Sequence, residues 1–116
     1  MLDRMSLRIG AVVLNVRDAD RAASFWTRAL DYVPSASEEL LLRPAAGPDA
    51  GPALHLDTED ATHLDLCTVE ADDVEGEVER LVSLGATRAE DWELPAGADF
   101  VVLRDPEGNL FCVIPG

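Results

Sequence analysis

The sequence predicts an α+β fold built from two successive copies of a β-α-β-β-β unit, and three observations carry that expectation. Period-two apolar alternation followed by a helical apolar stripe occurs twice, once in each half of the chain. An acidic residue suited to a helix N-cap precedes each stripe. Three short strand candidates, separated by turn-forming residues, follow each stripe. The length of 116 residues suits one domain with one core.

In the first half, Arg8 to Val16 alternates as a strand, with Val12, Leu14 and Val16 on one face and Ala11, Val13 and Asn15 on the other. Asp18 is placed to cap a helix whose stripe is Ala22, Phe25, Trp26, Ala29 and Leu30. That helix ends at Leu30-Asp31-Tyr32 without a glycine, so Asp31 must take the left-handed conformation at some cost. Tyr32 to Ser35, Glu39 to Arg43 and Ala53 to Asp57 are the strand candidates, with Pro44 to Pro52 as a hairpin loop.

The second half repeats the order. His63 to Val69 is a strand with His63, Asp65 and Cys67 on one face and Leu64 and Leu66 on the other. An extra residue near Thr68 suggests a bulge, which would turn Cys67 to the other face. Asp72 and Glu75 read as a capping box ahead of the stripe Val74, Val78, Leu81 and Val82, and Gly85 stands where the helix should stop. Thr87 to Trp92, Phe100 to Arg104 and Leu110 to Ile114 complete the unit. Asp105-Pro106-Glu107-Gly108-Asn109 is a strong turn signal before the last of them.

Composition narrows the function classes. Nine basic residues against 23 acidic ones leave a net charge of −14, which opposes binding to nucleic acid or to an anionic membrane. The same charge would draw a cationic ligand, although general solubility is the plainer account. No apolar run approaches the roughly 20 residues of a membrane span. The opening Met1-Leu2-Asp3-Arg4-Met5 offers no signal-peptide stretch, and Met5 serves as well as Met1 for a natural start. Cys67 and Cys112 are isolated in apolar stretches, without the spacing of a metal knuckle or a disulfide framework. A cytoplasmic location is therefore expected.

Several segments together carry a resemblance: Val16-Arg17-Asp18, Phe25 through Leu30, His63-Leu64-Asp65-Leu66, Leu84-Gly85-Ala86 and Asp105 through Asn109. In this order and spacing the chain resembles the vicinal-oxygen-chelate superfamily of glyoxalases, bleomycin-resistance proteins and extradiol dioxygenases, and particularly its small single-domain members. The resemblance spans residues 7–114 as one domain, with a first module of about 7–58 and a second of about 62–114. It implies that the modules form a curved mixed sheet around a central cavity. The cavity-lining candidates are then Ala11, Val13, Asn15, His55, His63, Asp65, Trp92, Phe100, Val102, Arg104 and Cys112. It also implies homodimerisation.

Metal-using members hold a divalent ion with one residue from the first and last strand of each module. Carried over, those positions are Ala11 (or Gly10), His55, His63 and Cys112. Ala11 has no ligand atom, and a thiol stands where the family usually has Glu. The resemblance therefore implies a degraded metal site, and no cofactor is favoured. A glyoxalase-type reaction lacks its carboxylate base at position 112. His55, His63 and Asp65 supply the residue types of a two-His, one-carboxylate site on paper. His55, His63 and Cys112 supply those of a zinc site, with nickel, iron and manganese as other candidates. The plainer readings are a His63 hydrogen-bonded to Asp65, a partly exposed His55 and Cys112 as a small apolar filler.

Trp26 belongs to the core by its place on the stripe, whereas Trp92 suits either core or ligand contact. Arg104 suits an anionic group or, more plainly, a salt bridge to Asp105 or Glu107. The leading functional expectation is a small-molecule-binding protein. A metal-dependent lyase, isomerase or dioxygenase with altered ligands is the alternative, and a protein-interaction module with a closed cavity is the third.

Overall fold

The alternating stretch at the start of the chain forms strand β1 (Leu7–Asn15), and the stripe after it forms helix α1 (Ala19–Leu30). The structure, a computed structural model, describes residues 7–69, 73–92 and 97–116. Asp18 caps α1 by accepting a hydrogen bond from the Arg21 N–H at 3.1 Å, satisfying one donor that the helix itself leaves unpaired. Asp31 closes the helix at φ 58° and ψ 49°, and its N–H donates to the Thr27 carbonyl. Aspartate thus takes the left-handed position without glycine, as expected.

Strands β2 (Tyr32–Pro34), β3 (Leu41–Pro44) and β4 (Ala53–Asp57) follow, with a short 3-10 turn at Pro48–Ala50 inside the expected loop. The order then repeats as β5 (His63–Thr68), α2 (Val74–Ser83), β6 (Thr87–Arg88), β7 (Val101–Arg104) and β8 (Leu110–Ile114). The fold is α+β and made of two β-α-β-β-β modules.

Two compact units result, one of Gly10–Thr62 and one of His63–Gly116 together with residues 7–9. In the first, the strand order is β2-β3-β4-β1, with β1 and β4 parallel and the other pairs antiparallel. In the second it is β5-β8-β7-β6, with β5 and β8 parallel. Each module therefore lays its last strand parallel beside its first. A parallel pair needs a long crossover, and the intervening helix and two strands provide it.

The first core is Leu42, Leu54 and Leu56, packed by Val12, Leu14 and Val16 and by Ala22, Ala23 and Trp26 of α1. The face assignment of β1 and the core role of Trp26 hold. The helical stripe needs correction. Phe25 is 60% exposed, and Ala29 and Leu30 are exposed as well. The inward arc of α1 centres on Ala22, Ala23 and Trp26, and Phe25, about 100° round from Trp26, meets it only edge-on at 5.0 Å.

The second core is Val78, Ala86, Leu103 and Val113, joined by Leu7, Val74, Leu81, Val101 and Phe111. Val82, expected on the inward stripe, is exposed. The cap of α2 is Asp73, whose Oδ1 accepts from the Gly76 N–H at 2.9 Å. The expected cap, Asp72, lies outside the described residues.

Two strand expectations change. The strand expected over Thr87 to Trp92 ends at Arg88, because the chain turns there: the Trp92 N–H donates to the Ala89 carbonyl at 3.1 Å. The expected bulge near Thr68 does not interrupt the β5–β8 register, which runs from Leu64 opposite Phe111 to Cys67 opposite Ile114. Thr68 is instead buried, and its Oγ1 accepts from the Gly116 N–H at 2.9 Å. Cys67 keeps the face that alternation assigned to it. No helix among the described residues is long and apolar enough to cross a membrane.

Candidate functional site

His63 and Asp65 are alternate residues of β5 and so project from one face. Cys112 stands opposite Asp65 in the parallel β5–β8 pair. Their face is the one turned away from α2, since Val78 of that helix packs with Leu103 and Val113 on the other side. One donor atom from each of the three residues lies within 4.8 Å of the other two, and all three residues are half-buried. His63 Nε2 is 3.4 Å from Asp65 Oδ1. Val102 stands opposite Cys112 on β7 and is buried, so an apolar side chain borders the polar cluster. Phe100, just before β7, is half-buried.

Arg104 is not free for an anionic ligand. Its guanidinium makes a two-point contact with Asp91, Nη1 to Oδ1 at 2.8 Å and Nη2 to Oδ2 at 3.2 Å. The salt-bridge reading thus holds with a different partner. The hydrogen bond from Arg104 holds the Asp91 carboxyl below its ordinary value, and the same bond raises Arg104. No spacing in the sequence pointed to Asp91, which reaches Arg104 because the chain turns after β6.

Asp105, one of the expected partners, is engaged elsewhere. Its Oδ1 accepts from the N–H groups of Glu107 and Asn109 at 2.9 and 2.8 Å, and its Oδ2 accepts from Asn109 Nδ2 at 3.0 Å. These bonds, the Asn109 side chain first, hold the Asp105 carboxyl below its ordinary 3.8. Because the folded value is depressed, the contribution to stability is present above about pH 4 and is lost as pH falls through the folded value. Asp105→Asn should therefore be less stable than the native chain at neutral pH. The gap should narrow as pH falls toward about 2, as thermal melts across that range would show; a gap of constant size would remove the charged turn as its cause.

In the first module, Val13 and His55 are register partners on the face turned away from α1. Val13 is buried, His55 half-buried and Ala11 half-buried. Asn15 is occupied structurally: its Nδ2 donates to the Asp60 carbonyl at 2.9 Å and its N–H to Thr62 Oγ1 at 3.1 Å, fastening the loop before β5. His55 belongs to this first unit, and the group of three metal-competent side chains found among the described residues is His63, Asp65 and Cys112. Trp92 is half-buried in the turn after β6 rather than on a strand, and the Glu93-Leu94-Pro95 segment beyond it lies outside the described residues.

An imidazole nitrogen, a carboxylate oxygen and a thiol sulfur are donors that a borderline-soft divalent ion accepts, so the residues present fit such an ion. Such an ion would polarise a bound oxygen or lower the pKa of a bound water.

The chain matches the family model of the glyoxalase-like domain over residues 11–114. It belongs to that family. No curated protein matches this glyoxalase-like chain. Among solved structures, an NAD-dependent benzaldehyde dehydrogenase from Legionella pneumophila matches at 16% identity and a TM-score of 0.57, over 90% of this chain and 96% of its own. A glyoxalase/bleomycin resistance protein from Albidiferax ferrireducens T118 matches at 19% identity and a TM-score of 0.38, over 92% and 97%. A member of the glyoxalase/bleomycin resistance protein/dioxygenase superfamily from Sphaerobacter thermophilus DSM 20745 matches at 16% and 0.37, over 94% and 97%. At 16% identity the likeness to the Legionella structure is one of fold alone. Ala11 and Cys112 stand at two positions where the resemblance implies a ligand side chain.

Proposed function

We propose that this glyoxalase-like protein binds a small organic molecule, and that the ligand contacts the face of β5, β8 and β7 turned away from α2. The observation that carries the reading is the convergence of His63, Asp65 and Cys112 beside the buried Val102. A few convergent polar groups set against apolar surface are the usual make-up of a ligand site. The Asp65 carboxylate and the net charge of −14 favour a cationic or neutral ligand over an anionic one. With Arg104 paired to Asp91, that face offers no free guanidinium from β7 to an anion. His55, Val13 and Ala11 are the corresponding candidates on the first module. The protein is proposed to work in the cytoplasm as a homodimer, away from nucleic acid and membranes. A metal-dependent lyase, isomerase or dioxygenase is the second reading, and the same three-donor cluster is what favours it.

A thermal-shift panel of cationic and neutral aromatic compounds, run in chelator, tests the first reading. A true ligand at a hundred times its Kd should stabilise the chain by about 2.7 kcal/mol. Asp65→Asn should weaken a cationic ligand about tenfold, or about 1.4 kcal/mol. A panel without any shift, together with native mass spectra showing only the bare chain, would count against it.

A further inference from the structure

We infer that the outward face of α1 is a second binding site, for an organic acid whose carboxylate meets Arg28 and whose planar apolar body lies on Phe25. The site belongs to the first module and shares no residue with the cluster on β5 and β8, so it does not rest on the ligand proposed above.

The helix sets the residues in place. At about 100° per residue, Ser24, Arg28, Arg21, Phe25 and Ala29 fall in that order on one arc, away from the Ala22, Trp26 and Ala23 arc that packs on the core. Among the described residues, these five line a depression of about 620 Å³. That volume lies within the roughly 300–1,000 Å³ of small-molecule sites. Its apolar element is Phe25, which is 60% exposed and whose ring is fixed by an edge-to-face contact with Trp26 at 5.0 Å and 84°.

Charge selects the ligand. The chain carries 23 acidic residues, yet none falls between Arg21 and Leu30, and Asp20 lies about 100° round the helix from Arg21. Among the described residues, Arg80, Arg88 and Arg104 are in salt bridges with Glu77, Glu75 and Asp91, whereas Arg21 and Arg28 are in none. Arg28 is preorganised instead. Its Nε donates to the Ser24 carbonyl at 3.1 Å and its Nη2 to Ser24 Oγ at 2.6 Å. Both Nη1 hydrogens stay available for a carboxylate, and little of the side chain has to be ordered on binding. Arg21 stands in the first turn of α1, where the helix dipole is already positive, so it is destabilising there unless an anion is near. It lies on the same line as Arg28, about 10 Å along the axis, and strengthens the positive potential over the face. A guanidinium beside an exposed aromatic ring suits a planar carboxylate, and a cationic ligand would be repelled.

The test follows amide NMR shifts of the full chain with 3-phenylpropionate as the probe and 3-phenylpropanol as its neutral analogue. We expect saturable shifts confined to α1, weaker binding of the acid as salt is added, and the acid bound about tenfold or more tighter than the alcohol. Arg28→Gln should weaken the acid by about 10–100-fold, the loss of a charge-assisted hydrogen bond. Phe25→Ala should weaken it by about 2–10-fold, the loss of an aromatic contact. Arg21→Gln should weaken it less, through lost long-range attraction. Arg43→Gln removes the same charge from an exposed position on β3 and should leave binding unchanged. The amide spectrum of each variant confirms that the fold is kept. Acid and alcohol bound alike, equal losses in the Arg43 and Arg28 variants, or shifts centred on β5 and β8 would each overturn the site. Sedimentation velocity of the ligand-free chain adds one more outcome: self-association abolished by Arg21→Gln and Arg28→Gln would assign the face to a second copy and overturn the proposal. Failure here leaves the ligand reading at β5 and β8 standing, because Asp65→Asn acts on that site alone.

Discussion

Replacing Leu103 with alanine should lower the stability of the folded chain by about 2–5 kcal/mol, the range for a fully buried leucine. Leu103 has no accessible surface and sits among Val78, Ala86 and Val113, so α2, the segment after it and β8 all lose a contact at once. Two of those neighbours belong to regular elements and cannot collapse into the space without moving the sheet or the helix. The cost should therefore fall in the upper part of the range, because it rises with the cavity that remains. Urea denaturation checks it: the midpoint should drop with the slope unchanged. Leu84→Ala provides the contrast. Leu84 is 67% exposed at the end of α2 and should change stability by no more than about 0.5 kcal/mol. A loss below about 1 kcal/mol at Leu103 would mean that the module repacks around the missing side chain.

The legible parts of this fold were those written in strict periodicity. Alternation in β1 assigned Val12, Leu14 and Val16 to the helix side, and their packing against Ala22 and Trp26 agrees. The resemblance implied both Val102 and Cys112 as cavity-lining residues, and they stand opposite each other on one face of the β7–β8 pair. Periodicity was less informative about helix faces. It could not tell that Ala22, Ala23 and Trp26 would face the core and leave Phe25 exposed, because a stripe shows which residues share a side but not where its centre lies. Strand ends were illegible for a different reason. Thr87 to Trp92 occupies the place of a strand in the repeated order, yet only Thr87 and Arg88 pair with β7, and the turn that follows is what carries Asp91 to Arg104.

The candidate site was half legible. His63 and Cys112 could be named from resemblance and face, and the nearness of Asp65 to His63 from spacing. That Asp65 stands opposite Cys112 could not, since it depends on the register between strands far apart in the sequence, and no local pattern encodes that register. The set moved accordingly from two histidines and a thiol to one histidine, a carboxylate and a thiol. This changes the chemistry expected of any bound ion, because one neutral donor is exchanged for a charged one.

Gly85→Ala should cost about 1–3 kcal/mol, the range for a residue held in a disfavoured backbone region, although glycine to alanine inside a helix would be stabilising. Gly85 adopts φ 122°, where L side chains are strained. Its N–H donates to the Val82 carbonyl and the Ala86 N–H to the Leu81 carbonyl, both at 3.0 Å. This is the paired closure of a Schellman motif, which satisfies two carbonyls that the end of α2 leaves open. A second constraint acts from outside the helix. A Cβ at this position would lie 3.2 Å from Pro106 Cγ, in the turn that leads to β8. Relaxing the backbone strain would unlatch the helix end, and relieving the side-chain contact would move a turn already fastened through the Asp105 carboxylate. Either movement reaches the site, since β8 carries Cys112. The variant should therefore show a lower urea midpoint with the slope unchanged. A Gly85→Ala chain as stable as the native one would mean that helix end and turn yield independently, and that the position of Cys112 does not depend on either.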